Sequence, residues 1–133
     1  MNLKRRKFMA KPPLITSSAP DPDKINPKDN EEIVQRGWLY YGKQKYDQAL
    51  DDFSRALIKE PDNPDIIYAL GIAYKASGSD QKAIETFEKV LLHLDKYQDA
   101  VEARMLLRLI HGHINQLKNG DWNLEKEIWH YVR

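Results

Sequence analysis

Four histidines, two adjacent carboxylate pairs and one basic cluster are the residues of this 133-residue chain whose types could do chemistry. Histidines hold a metal when two or three converge on one point, but His93, His111, His113 and His130 follow no familiar ligand spacing. On a helix, His111 and His113 point about 200° apart, so they do not readily share one ion. Asp51-Asp52 and Glu31-Glu32 would suit general acid–base work if buried together, yet both read as solvated helix faces. The sequence has no Gly-rich phosphate loop and no cysteine. An enzyme is not expected, nor is a metal or any other cofactor, and the missing cysteines leave the redox compartment unread. Lys4, Arg5, Arg6 and Lys7 offer an electrostatic anchor for an acidic lipid or protein surface, against the plainer reading of a solvated basic start. Arg5-Arg6 looks like a twin-arginine export motif, but Pro12-Pro13 and Thr16-Ser17-Ser18 stand where an apolar stretch should follow, so no export signal is expected.

What the chain does carry is periodicity. Gly37 and Gly71, Tyr40 and Tyr74, Ala49 and Ala83, Phe53 and Phe87 are pairs of identical residues at one period of 34. A period of this size signals stacked helical repeats, here 30–63 and 64–97. Ile33, Gly37 and Tyr40 share one helical face, and so do Ala49, Phe53, Ala56 and Leu57. Small residues at positions 37, 49, 71 and 83 let two helices approach closely while the aromatics fill the gap. Pro61 and Pro64 end one helix and open the next. Asp80 is a candidate N-cap after the turn at 77–79. Helix pairs are predicted at about 31–43 with 46–59 and 65–77 with 80–94, which makes the fold class all-α.

The pattern of Gly37, Tyr40, Ala49, Phe53, Ala56 and Pro61 in the first copy resembles the tetratricopeptide repeat family. So does that of Leu70, Gly71, Tyr74, Ala83, Phe87 and Val90 in the second. Arg36 departs from the pattern where an apolar residue is usual, which is expected to loosen one core contact. Asp95 replaces the terminal Pro, so the last helix of the second copy is expected to run on or turn differently. The resemblance implies a right-handed helical repeat whose first helices line a concave, partner-binding face. On that face it places Val34, Trp38, Tyr41, Tyr68, Ile72, Lys75, Leu106 and Leu109. The family's best-known ligand mode clamps a terminal carboxylate with Lys, Asn and Arg. Val34, Trp38, Ala69, Asp99 and Ala103 occupy those places here, and none of them can pair with a carboxylate. The groove is instead aromatic and apolar, which suits an amphipathic helix or an extended apolar peptide.

Three segments flank the repeats. Residues 1–29 hold five prolines and seven Lys/Arg against three Asp, and read as a disordered or extended basic arm. Residues 98–118 read as one capping helix, because Ala100, Ala103, Leu107, Ile110, Ile114 and Leu117 form a stripe at spacings of three and four. Val101, Met105, Leu106 and Leu109 add apolar surface beside its first half, which should therefore be buried on two sides. A degenerate third repeat bending at Gly112 is the alternative. A short helix at about 123–132 follows, with Trp122 and Trp129 either folded onto the domain or forming a second interface, one that self-association could use.

The folded domain then spans 30–133, and a non-catalytic protein-binding module follows: an adaptor, scaffold or assembly factor. The competing reading is a permanently attached structural subunit, anchored by the arm and the Trp-rich tail. Glu31, Asp65 and Asp99, again at the 34-residue period, complement helix dipoles and argue against a nucleic-acid partner. No apolar run reaches the roughly 18–20 residues that span a bilayer, so a cytoplasmic protein is expected, with a peripheral membrane or complex attachment through the arm.

Overall fold

The computed structural model describes residues 19–94 and 101–122, and five α-helices account for most of them. They are α1 (Asn30–Gly42), α2 (Tyr46–Lys59), α3 (Pro64–Ala76), α4 (Asp80–Leu94) and α5 (Val101–Asn119). The helix starts have physical causes. The Asp29 side chain accepts from the Glu32 amide at 2.8 Å and caps α1. The Asn63 side chain accepts from the Asp65 amide at 3.0 Å, and Pro64 supplies the first residue of α3. Asp80, expected as a cap, is instead the first residue of α4.

α1 packs against α2, α2 against α3, α3 against α4 and α4 against α5, so the array is a stack of neighbours. The two hairpins meet internally in the same way. A Cβ added to Gly37 would lie 2.6 Å from Phe53 Cε1, and one added to Gly71 would lie 2.5 Å from Phe87 Cε1. Each phenylalanine therefore rests on bare backbone, and both rings are fully buried. The 34-residue period also governs the turns. Gln44 has φ +63° and Gly78, one repeat later, has φ +86°. The first hairpin thus carries a side chain at a left-handed position that costs an L-residue about 1 kcal/mol.

Arg36 corrects an expectation. It does not loosen the core, because its guanidinium forms a two-pronged bridge to Asp52, Nε to Oδ2 at 2.9 Å and Nη2 to Oδ1 at 2.7 Å. Asp52 is only 1 % exposed, so the pair Asp51-Asp52 is not a solvated face. Asp51 does lie outside, paired with Arg55 one turn on. Asp52 shares its helical phase with Ala49, Phe53 and Ala56, which turns it inward.

Of the arm expected over 1–29, residues 19–29 fall within the described chain. They are largely extended, with one 3-10 turn at Pro22–Lys24, and they lie against α1. Pro22 is buried. Tyr40 donates its hydroxyl to Asp23 Oδ1 at 2.9 Å, Lys45 donates to Asp23 Oδ2 at 3.2 Å, and Arg36 Nη1 donates to the Ile25 carbonyl at 3.3 Å. The Tyr40 bond and then the Lys45 bond hold the Asp23 carboxyl below its usual range, and the bond to Asp23, with burial, raises the Tyr40 phenol.

α5 runs through Gly112 without a break and stands where a third repeat would place its first helix. Leu106, Ile110 and Ile114 face the core, but Met105 is 56 % exposed. The two-sided burial expected for the first half of α5 is therefore not complete. Met105 occupies the phase of Gly37 and Gly71, whose side is covered by the second helix of each hairpin. Among the described residues no helix covers that side of α5.

Candidate functional site

The residues expected to line a groove divide into two layers. Trp38, Tyr68, Ile72 and Leu106 are buried and belong to the main core. Trp38, 1 % exposed, meets Phe53 edge-on at 4.9 Å and Tyr41 edge-on at 5.5 Å. Buried side chains leave almost no surface, so these four do not line a groove as expected. Val34, Tyr41 and Leu109 are half-buried and pack against the same core, and Lys75 shares that exposure. Burial and the nearby Tyr46 raise the Tyr41 phenol. Tyr68 is pushed well above the usual phenol range, mainly by its burial.

Sequence reasoning missed the member that ties α3 to α5. His113 stacks on Phe87 with ring centroids 5.1 Å apart and planes within 7°. Its Nδ1 lies 2.9 Å from Lys75 Nζ and its Nε2 lies 3.2 Å from the Tyr68 hydroxyl. An ammonium can only donate, so Nδ1 must accept, and Nε2 carries the proton and donates to Tyr68 Oη. Burial, and then the Lys75 charge, hold the His113 ring down to a pKa of about 4. Burial likewise lowers Lys75, whose Nζ also donates to Gln116. The available signal was Leu106, Leu109 and His113 at spacings of three and four, a second inward line on α5.

Trp122 completes the cluster. After α5, Gly120 takes φ +79° and its amide donates to the Gln116 carbonyl at 3.0 Å, which turns the chain. Two residues on, the indole of Trp122 lies against Gly112, where its Cε2 and Cζ2 fill the place of a side chain. It meets His113 edge-on at 4.7 Å, and Lys75 Nζ stands 5.6 Å from its ring centroid. The indole remains 37 % exposed.

Lys4, Arg5, Arg6, Lys7 and Trp129 lie outside the described residues, as does the short helix expected at about 123–132. Among the described residues, no three His, Asp or Glu side chains are grouped to hold a metal ion, and no helix is long and apolar enough to cross a membrane. A polar hollow of about 310 Å³ lies beside the ion pair, lined by Arg36, Tyr40, Asp47, Gln48, Asp51, Asp52 and Arg55. Its charges are largely engaged with one another.

Repeated helix hairpins, each closed by an aromatic on a glycine, define the helical-repeat class of interaction domain. A family model for the tetratricopeptide repeat matches residues 40–110, and the chain belongs to that family. Neither curated proteins nor solved structures gave a match. Tetratricopeptide repeats generally mediate protein–protein interaction and are typically non-catalytic.

Proposed function

We propose that this chain is an adaptor or assembly factor that binds an apolar or amphipathic peptide across α1, α3 and α5. The observation that supports the reading is the half-exposed set Val34, Tyr41 and Leu109, packed against a core that buries Trp38, Tyr68, Ile72 and Leu106. A packed core with partly exposed apolar side chains against it gives a ligand something to bury at little reorganisation cost. Lys75 adds one cation to that face, which suits a peptide carrying an acidic residue beside its apolar ones.

The test is selection of peptides from a random display library on the full chain, followed by binding to surface variants. Tyr41→Ala and Leu109→Asp should each weaken the selected peptides about tenfold or more. Leu92→Ser, at an exposed position on α4, should leave them unchanged. Selected peptides that tolerate both face variants but are lost with Leu92→Ser would overturn the reading. Trp38→Ala is unsuitable here, since emptying that core site costs about 3–5 kcal/mol of stability.

A further inference from the structure

We propose that the notch floored by Gly112 and walled by His113 and Lys75 is a binding site for a tryptophan side chain presented by a partner peptide, with Trp122 as its resident in cis. The proposal rests on the reading of the α1, α3 and α5 face as the peptide-binding face, and names one subsite of it.

The notch is built without help from its resident. His113 is held by Phe87 stacking, by Tyr68 and by Lys75, all on α3 and α4. Lys75 is held in turn by His113 and Gln116. Gly112 lies in the middle of a 19-residue helix, where glycine costs about 1 kcal/mol against alanine. A packing reason for it is on hand, since an indole lies where a Cβ would stand. The chemistry of the walls selects the same group. An ammonium near an aromatic face favours indole over the other rings, and the imidazole takes an edge-on partner.

The resident is held lightly by comparison. Trp122 lies beyond the end of α5, and more than a third of it faces solvent. Rotation about residues 120–122 would release it without disturbing any of the five described helices. A tryptophan from another chain could then take the same seat. A second copy of this chain is a poorer source, because its Trp122 follows its own α5 by three residues. That tether spans about 10 Å and would crowd two helix ends, each with an exposed Lys118, against each other.

The probe is a synthetic peptide of residues 119–126 of this chain, with a Trp-to-Ala version as control, titrated into the full chain and followed by amide NMR shifts. With Trp122→Ala the peptide should shift Gly112, His113 and Lys75, and bind about tenfold tighter than to the unmodified chain. Tenfold is the factor by which a seat open a tenth of the time weakens a competing ligand. Adding Gly112→Ala should abolish binding, while circular dichroism shows the helices intact.

Three outcomes would overturn the proposal. The first is no binding to Trp122→Ala; the second is binding that survives Gly112→Ala or is equal with and without Trp122. The third is a concentration-dependent dimer of the unmodified chain that Gly112→Ala dissolves, which would put a second copy in the seat. Failure here with display peptides still sensitive to Tyr41→Ala would sink the tryptophan seat and leave the peptide-binding face standing.

Discussion

Replacing Arg36 by Met tests whether the ion pair between the two helices of the first repeat is as dry as its geometry indicates. The substitution keeps an unbranched apolar stem and removes the charge, leaving the Asp52 carboxylate at 1 % exposure without its cation. Breaking a buried pair from one side costs about 3–5 kcal/mol, because the remaining charge stays desolvated. The lost bond to the Ile25 carbonyl adds about 1 kcal/mol. Against a typical domain stability of about 5–15 kcal/mol, the sum of about 4–6 kcal/mol removes roughly a quarter or more of the total. Urea denaturation followed by far-UV circular dichroism measures it directly, provided the slope stays unchanged. The double variant Arg36→Met with Asp52→Leu removes both charges and should return to within about 1–2 kcal/mol of the parent. A single variant costing under about 1 kcal/mol, or a double variant as unstable as the single, would show that water reaches the pair and refute the argument.

Three more outcomes follow from the packing. Gly71→Ala should lower stability by about 1–2 kcal/mol in the same assay, since the clash with the buried Phe87 ring outweighs the better helix propensity of alanine. Gln44→Gly should raise it by about 1 kcal/mol by relieving the left-handed backbone, and a loss would show that the Gln44 side chain contributes more than its strain costs. His113 titrates lower in the folded chain than when free, so the unfolded state takes up its proton first as pH falls. Stability from this group is intact above pH about 6.5, falls down to pH about 4 and then levels, by about 2 kcal/mol once solvent screening is allowed for. The difference in stability between the parent and His113→Phe, measured from pH 7 to 4, isolates that slope, and parallel curves would contradict it.

The helices were legible because their signals are local. α1 to α4 match the spans read from periodicity to within one residue at each end. Gly37 with Phe53 and Gly71 with Phe87 were legible as a pair of partners, because the repeat showed the same combination twice. The Arg36–Asp52 bridge was not, since each residue was weighed by its own type rather than by the face it shares with apolar neighbours. The residues expected to line a groove lie on α1, α3 and α5, but two of the large aromatics among them, assigned to the surface, are buried. Trp38 and Tyr68 are buried because neighbouring helices close over them, a consequence of packing that no single helix pattern records. The meeting of Lys75, His113 and Trp122 joins residues up to 47 positions apart and depends on the turn at Gly120.

Met105 has a consequence for lengthening the array. Each hairpin closes by setting a phenylalanine into the gap above a glycine, and the third such gap is filled by a thioether side chain. A copied α4 appended to α5 would bring its ring against Met105 and could not settle to the depth of Phe53 or Phe87. Among the described residues, the closure of a phenylalanine onto a glycine therefore occurs twice and is not repeated on α5. Grafting further units onto it, for a longer binding surface, would have to begin with Met105→Gly.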